Sequence, residues 1–364
     1  MASRGVTVRE VREATSVDDP DLRASVDVYN ATLEDLMGHG ELSMSYAETA
    51  RLWRPTPYGH ERRFVAEVDG AVVGRAYAGM PLTEDPDKAF VNLLVHPRER
   101  RRGVGSALLR TIARVTHDAG RTRYHAWTVS TRGTDTADAS FVARTGAGGV
   151  PSDDSGARFA LANGFVLRQV ERMSRLDVPT ARDRIRPMLS LAAEQAGSAY
   201  RTLGWRGETP RERLDDLAWL WSRMSTDAPH GDIDVEEQVW DADRVIAAEQ
   251  RMGSEDRFLL TVAAEHVDSG RLVVFTNMTV PRDSSRAARQ EITLVTREHR
   301  GHRLGTLVKA ANLVQLAELA PETPAVYTWN AEENEPMLTV NDVLGFEAVG
   351  VEGQWERTTP LVLD

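Results

Sequence analysis

Three consecutive arginines, Arg100, Arg101 and Arg102, run into Gly103-Val104-Gly105-Ser106 and then into a stretch with the apolar spacing of a helix. These are the residue types of an anion site. The first N–H groups of a helix have no intrahelical acceptor, and the helix dipole adds partial positive charge at the same place. Gly103 and Gly105 let the backbone approach a phosphate closely, with arginine charge on the rim. Arg300-Gly301-His302-Arg303-Leu304-Gly305 repeats the arrangement in the second half. Neither run contains Gly-Lys-Ser/Thr or Gly-x-Gly-x-x-Gly, which disfavours a P-loop nucleotidase and a dinucleotide fold. His299 and His302 have metal-like spacing but no third ligand nearby in sequence, so no metal is expected.

The flanks of the first junction show what must hold it. RRFVAEVDG and AVVGRAYAGM are β-rich runs joined at Asp69-Gly70, a dipeptide suited to a type I′ hairpin. AFVNLLV, from Ala89 to Val95, is apolar enough for a central strand, and Pro97 ends its ladder. After Gly105, Leu108, Leu109, Ile112, Ala113 and Val115 recur at helical spacing as far as Gly120. The order is strand, arginine-glycine turn, helix.

Composition limits the partners. The formal charge of −11 over 364 residues argues against a general polyanion binder, so no nucleic acid is expected. No apolar run reaches the length of a membrane span, and the N-terminus lacks a secretory pattern, so no membrane association and a cytoplasmic location are expected. Cysteine is absent, which removes disulfides and covalent cysteine catalysis. Arginine is abundant while Lys88 and Lys309 are the only lysines. The length exceeds what one hydrophobic core usually serves.

Sliding the second half along the first reveals an internal repeat. RFLLTVAAEHVDSG and RLVVFTNMTVP form another hairpin pattern, EITLV precedes the second loop and helix, and YHAWTV has its counterpart in VYTWNA. Gly164-Phe165 and Gly345-Phe346 each close a short helix and open a strand. Two domains are predicted, 1–178 and 179–364. Ser130–Ala157, rich in Gly, Ser, Thr and Asp, reads as a lid or an elaborated helix-loop.

The pattern Arg-x-x-Gly-x-Gly between strand and helix, Arg100 to Gly105, resembles the acetyl-CoA loop of the GCN5-related N-acetyltransferases (GNATs) in their tandem, two-domain form. The resemblance implies an α/β tandem GNAT fold: two mixed, mostly antiparallel sheets, each with a splayed parallel strand pair and flanking helices. It implies acetyl-CoA as cosubstrate. Pantetheine would pair with backbone groups of Leu93, Leu94 and Val95, or of Leu294 and Val295. The pyrophosphate would lie on Arg100 to Ser106 and on Arg300 to Gly305. Arg303 stands where the family has glycine.

Acetyl transfer requires a neutral amine, so a base must remove the ammonium proton. Glu291, at the mouth of the second copy's fourth strand, is the candidate, with Asn334 retained in the family's Asn-x-x-Ala region. The tyrosine that many members place before the terminal Gly-Phe is Ala160 or Asn341 here, leaving Tyr327 as the candidate acid. His125 is an alternative base in the first copy. The expected activity is N-acetylation of a small-molecule amine. The alternative is a CoA-binding sensor or interaction protein without transfer activity.

Overall fold

The computed structural model describes residues 5–12, 16–132, 139–233, 235–253, 255–359 and 361. The chain divides into two compact units, Met1–Arg144 with Gly149–Gln169 and Glu352–Asp364, and Thr145–Gly148 with Val170–Val351.

Unit 1 begins with β1 (Thr7–Val11), α1 (Pro20–Met37) and α2 (Tyr46–Leu52). Local chemistry starts these helices: the Asp19 carboxylate accepts from the Asp21 and Leu22 N–H groups, and Ser45 with Glu48 forms a reciprocal capping box. The hairpin β2 (Gly59–Val68) and β3 (Ala71–Pro81) turns at Asp69 and Gly70, with φ of 52° and 80°, the left-handed pair a type I′ turn requires. Next come β4 (Lys88–Val95), α3 (Val104–Asp118) and β5 (Arg123–Ser130). The segment expected to be a lid contains the small hairpin β6 (Ala139–Val142) and β7 (Gly149–Pro151); its residues 133–138 lie outside the described residues. Then follow α4 (Ser155–Ala162) and β8 (Val166–Asp177).

Unit 2 contains α5 (Val178–Ala196), β9 (Tyr200–Arg206), α6 (Leu214–Asp227) and α7 (Ala242–Met252). The hairpin β10 (Arg257–His266) and β11 (Arg271–Pro281) leads to β12 (Ala288–Val295), α8 (Leu304–Leu319) and β13 (Ala325–Ala331). Last are α9 (Glu335–Leu344) and β14 (Glu347–Arg357). From β9 onward the order strand, two helices, three strands, helix, strand, helix, strand repeats that of unit 1, with β6 and β7 as an insertion in the first copy.

The compact units differ from the expected halves. β8 is a 12-residue strand whose residues 166–169 belong to unit 1, while Glu171–Asp177 pair antiparallel with β13 inside unit 2. β14 likewise gives Glu352–Arg357 to unit 1. A cut between 178 and 179 respects the repeat in the sequence, but long-range strand pairing groups the residues otherwise. Pro179 lies in the first turn of α5, where its missing N–H costs no helix hydrogen bond.

The antiparallel ladders β2–β3–β4 and β10–β11–β12 hold each unit's central strand, and α3 or α8 covers one face. Apolar residues of α5, α8 and α9 close over Leu260, Met278, Val280 and Val326 in unit 2.

Candidate active site

In each unit the parallel strands pair only at their base. β4 and β5 share the rungs Lys88/Arg123, Ala89/Tyr124 and Phe90/His125, and pair no further. β12 and β13 share Ala288/Val326 and Arg289/Tyr327. Beyond those rungs the facing backbone groups lack a ladder partner across the opening, which fits the slot expected for an extended amide chain. Leu93, Leu94 and Val95 stand half-buried beside the unit 1 opening; in unit 2 Val295 is half-buried and the Leu294 side chain is enclosed, leaving its main chain to serve.

Both loops adopt one geometry. Arg101 and Gly103 have φ of 62° and 83°, and Gly301 and Arg303 have φ of 88° and 58°. Alternating hands aim successive N–H groups into a common concavity, as in anion-binding nests. Arg303 therefore takes the backbone shape of Gly103, at a cost of roughly 1–2 kcal/mol for a residue with a Cβ. α3, α6 and α8 lack a side-chain N-cap, whereas α1, α2, α4, α5, α7 and α9 have one; α6 follows a 3-10 turn, while α3 and α8 start from the nests. A helix start without a cap, in a nest, fits a pyrophosphate.

The arginines are placed by local partners. Arg100 donates to Asp35 of α1 at 2.8 Å, and Arg102 to Glu99 at 2.8 Å. Arg300 holds the Asp227 and Val295 carbonyls at 3.1 and 3.3 Å. Val104 and Leu304 anchor the helix starts in the core, while Ser106 is exposed and Gly105 and Gly305 meet only ordinary contacts. His302 and His299 cluster with His266 around Tyr200, whose hydroxyl lies 3.0 Å from His299 Nδ1. Burial, then the neighbouring His266, lowers the His299 pKa. Among the described residues no three His, Cys, Asp or Glu side chains are placed to hold a metal ion.

The units part where chemistry would occur. In unit 1 the β3–β4 ladder runs unbroken from Gly74/Val95 to Gly79/Phe90. In unit 2 the register jumps from Thr276/Thr293 to Met278/Gln290, so Glu291 and Ile292 together face Asn277. This is a β-bulge, which re-aims side chains and bends its strand. Buried amides take up the groups it releases. Asn277 Oδ1 accepts from Ile292 N at 2.9 Å, and Gln290 Nε2 donates to Thr276 Oγ1 and the Asn277 carbonyl at 2.8 and 2.5 Å. Glu291 is thereby exposed, accepting from Thr279 Oγ1 at 2.5 Å.

The other two candidates have structural surroundings. Asn334 caps α9, accepting from Met337 N at 3.4 Å. Tyr327 has 0% exposure and stacks on Trp329 at 6.3 Å, which does not support a phenol reached by a departing thiolate. Sequence reasoning missed a buried network nearby. Lys309 on α8, 1% exposed, donates to Asn341 Oδ1 at 2.5 Å, and Asn341 Nδ2 donates to Asn330 Oδ1 at 2.7 Å. Desolvation lowers the Lys309 pKa to about 7. Its signal was a rare lysine on the apolar face of a helix.

Each unit thus carries a strand-loop-helix site on a splayed parallel strand pair. Residues 26–139 match the acetyltransferase (GNAT) family. A tandem GNAT protein from the clavulanic acid biosynthesis pathway is similar over 99% of this chain and 100% of its own, with TM-score 0.73 and 24% identity. A GCN5-related N-acetyltransferase from Sphaerobacter thermophilus aligns over 98% and 96%, with TM-score 0.58 and 14% identity. No curated protein matches. The likeness to these structures gives the chain a tandem GNAT fold, within which residues 26–139 match the family model. The family's donor is acetyl-CoA. Among the described residues no helix is long and apolar enough to cross a membrane.

Proposed function

We propose that the protein transfers acetyl from acetyl-CoA directly to a primary amine of a small molecule, that residues 1–178 and 179–364 are its two repeats, and that transfer occurs in unit 2. The observation carrying this assignment is the bulge in β12, which exposes Glu291 beside the strand opening and has no counterpart in β4. Bound acetyl-CoA supplies an activated thioester. The chain's own contribution is to hold the pyrophosphate on the uncapped helix starts and to take the ammonium proton on Glu291, leaving the amine lone pair free. A backbone N–H near Val295 would meet the developing oxyanion. A thiolate is a good leaving group, so transfer proceeds without Tyr327 as acid.

Release of CoA thiol with a panel of amines tests the reading. Glu291→Gln should lower the rate at neutral pH by roughly 10²–10⁴-fold, with acetyl-CoA affinity little changed and partial recovery at high pH, where the amine loses its proton unaided. A fully active variant would remove Glu291 from the chemistry. Thiol release from no amine, with acetyl-CoA binding intact, would instead favour a CoA-binding sensor or interaction protein.

A further inference from the structure

Unit 1 carries a second set of side chains that cofactor binding does not use. Alternation along β3 turns Gly74 toward Val104 and Leu108 of α3, and therefore turns Arg75 and Tyr77 to the opposite face, under α1. Phe90 on β4, and His125 and Trp127 on β5, share that face. The Arg75 guanidinium lies 5.4 Å from the centre of the Tyr29 ring, Tyr77 lies 6.1 Å from Trp127, and Phe90 lies 5.6 Å from His125. All six side chains are half-buried, so the face is neither a closed core nor open surface.

Arg75 is the anomaly. Its guanidinium has no hydrogen bond or ion pair among the described residues, and the ionisable groups acting on it are the phenols of Tyr29 and Tyr77. Desolvation lowers its pKa, and no carboxylate opposes that effect. Three partly buried arginines show the usual arrangement: Arg123 pairs with Asp85 and Asp87, Arg168 with Glu356, and Arg172 with Glu332. A guanidinium offers donors only, in a fork shaped for a carboxylate, and here that fork is half-buried among rings with no acid to fill it. The fold does not require a cation there. Arg75 is the register partner of Leu94, and the partner of Leu294 in unit 2 is Phe275, fully buried and stacked on Trp221 at 6.3 Å.

His125 stands on the last shared rung of β4 and β5, where the strands part. Its Nε2 lies 2.8 Å from Gln354 Oε1; with that oxygen accepting, Nε2 carries the proton and Nδ1 keeps a lone pair. Burial lowers its pKa, which favours the neutral ring.

We infer that this face of unit 1 is a second acceptor site, additional to that of unit 2 and independent of Glu291, for a flat or aromatic amine that bears a carboxylate, with Arg75 holding the carboxylate and His125 receiving the ammonium proton. The inference rests on the reading that the unit 1 loop binds acetyl-CoA. The nitrogen lone pair forms the bond to the acetyl carbonyl carbon, the carbon–sulfur bond breaks, and the thiolate departs with CoA. The aromatic walls supply stacking area, and Arg75 supplies selection between acids and their decarboxylated counterparts.

Calorimetry on the full chain, with phenylalanine against phenethylamine and 4-(aminomethyl)benzoate against benzylamine as probes, separates the outcomes. The carboxylate-bearing member of each pair should bind roughly 30-fold tighter or more, as expected for an enclosed charge pair. Arg75→Met should abolish the difference, Arg75→Lys should retain part of it, and acetyl-CoA affinity should not change in either. A preference that is absent, or that survives in a folded Arg75→Met protein, overturns the site. A parallel fall in acetyl-CoA affinity also overturns it, by assigning Arg75 to the cofactor's phosphates. Thiol release measured alongside keeps the two readings apart. A carboxylate preference without turnover supports the site and removes transfer; turnover without the preference does the reverse.

Discussion

Lys309 provides a quantitative test of the unit 2 interior. Its ammonium is enclosed on α8, with Asn341 as its hydrogen-bond partner and the Phe346 ring 5.0 Å away. Burial shifts its pKa from 10.5 to about 7. The folded value lies below the unfolded one, so between about pH 7 and 10.5 the unfolded chain binds more protons and stability rises with pH. Below that window both states are protonated and the full cost of the buried charge is felt. At about 1.4 kcal/mol per pH unit, the whole effect is of order 5 kcal/mol, and the part gained between pH 7 and 9 is about 2 kcal/mol. Denaturant unfolding at these two pH values should show that gain in the wild type and lose it in Lys309→Met, which keeps side-chain length without charge. Because Lys88 and Lys309 are the only lysines, ε-carbon labelling yields two signals that the variant assigns. Equal pH slopes for the two proteins, or a Lys309 midpoint above pH 10, would refute the reasoning.

Two substitutions probe the unit 1 loop proposed to hold acetyl-CoA. Gly103→Asp places a carboxylate in the nest, at a φ of 83° with open space around the new Cβ; calorimetry of the full chain should show loss of one acetyl-CoA site with the other retained, and unchanged binding would dismiss the phosphate assignment. Gly74→Ala introduces a Cβ that would lie 2.9 Å from Val104 Cγ1 and 3.1 Å from Leu108 Cδ1. It should lower stability by about 1–3 kcal/mol, read from the melting curve, and weaken acetyl-CoA binding by pushing α3 off β3; a protein equal to wild type in both would show that α3 has room to move.

Much of this molecule is written in short stretches of sequence. Asp69-Gly70 specifies its turn because only left-handed backbone closes a type I′ hairpin, and the arginine-glycine runs specify nests at helix starts because loop conformation and missing caps are local properties. The repeat, the two hairpins and the paired strand-loop-helix units follow from period and punctuation alone. What tertiary structure decided depends on register between residues far apart in the chain, where a slip of one residue turns every side chain to the other face. That register put Glu291 on a bulge bridged by Asn277 and Gln290, and enclosed Tyr327 although its sequence suggested an available phenol. It also divided β8 and β14 between compact units where the repeat suggested a single cut. Finally, it set Lys309 against Asn341 and Arg75 over Tyr29, contacts between residues 32 and 46 positions apart that no local pattern encodes, because each is settled by which faces of a helix and a sheet meet in the folded core.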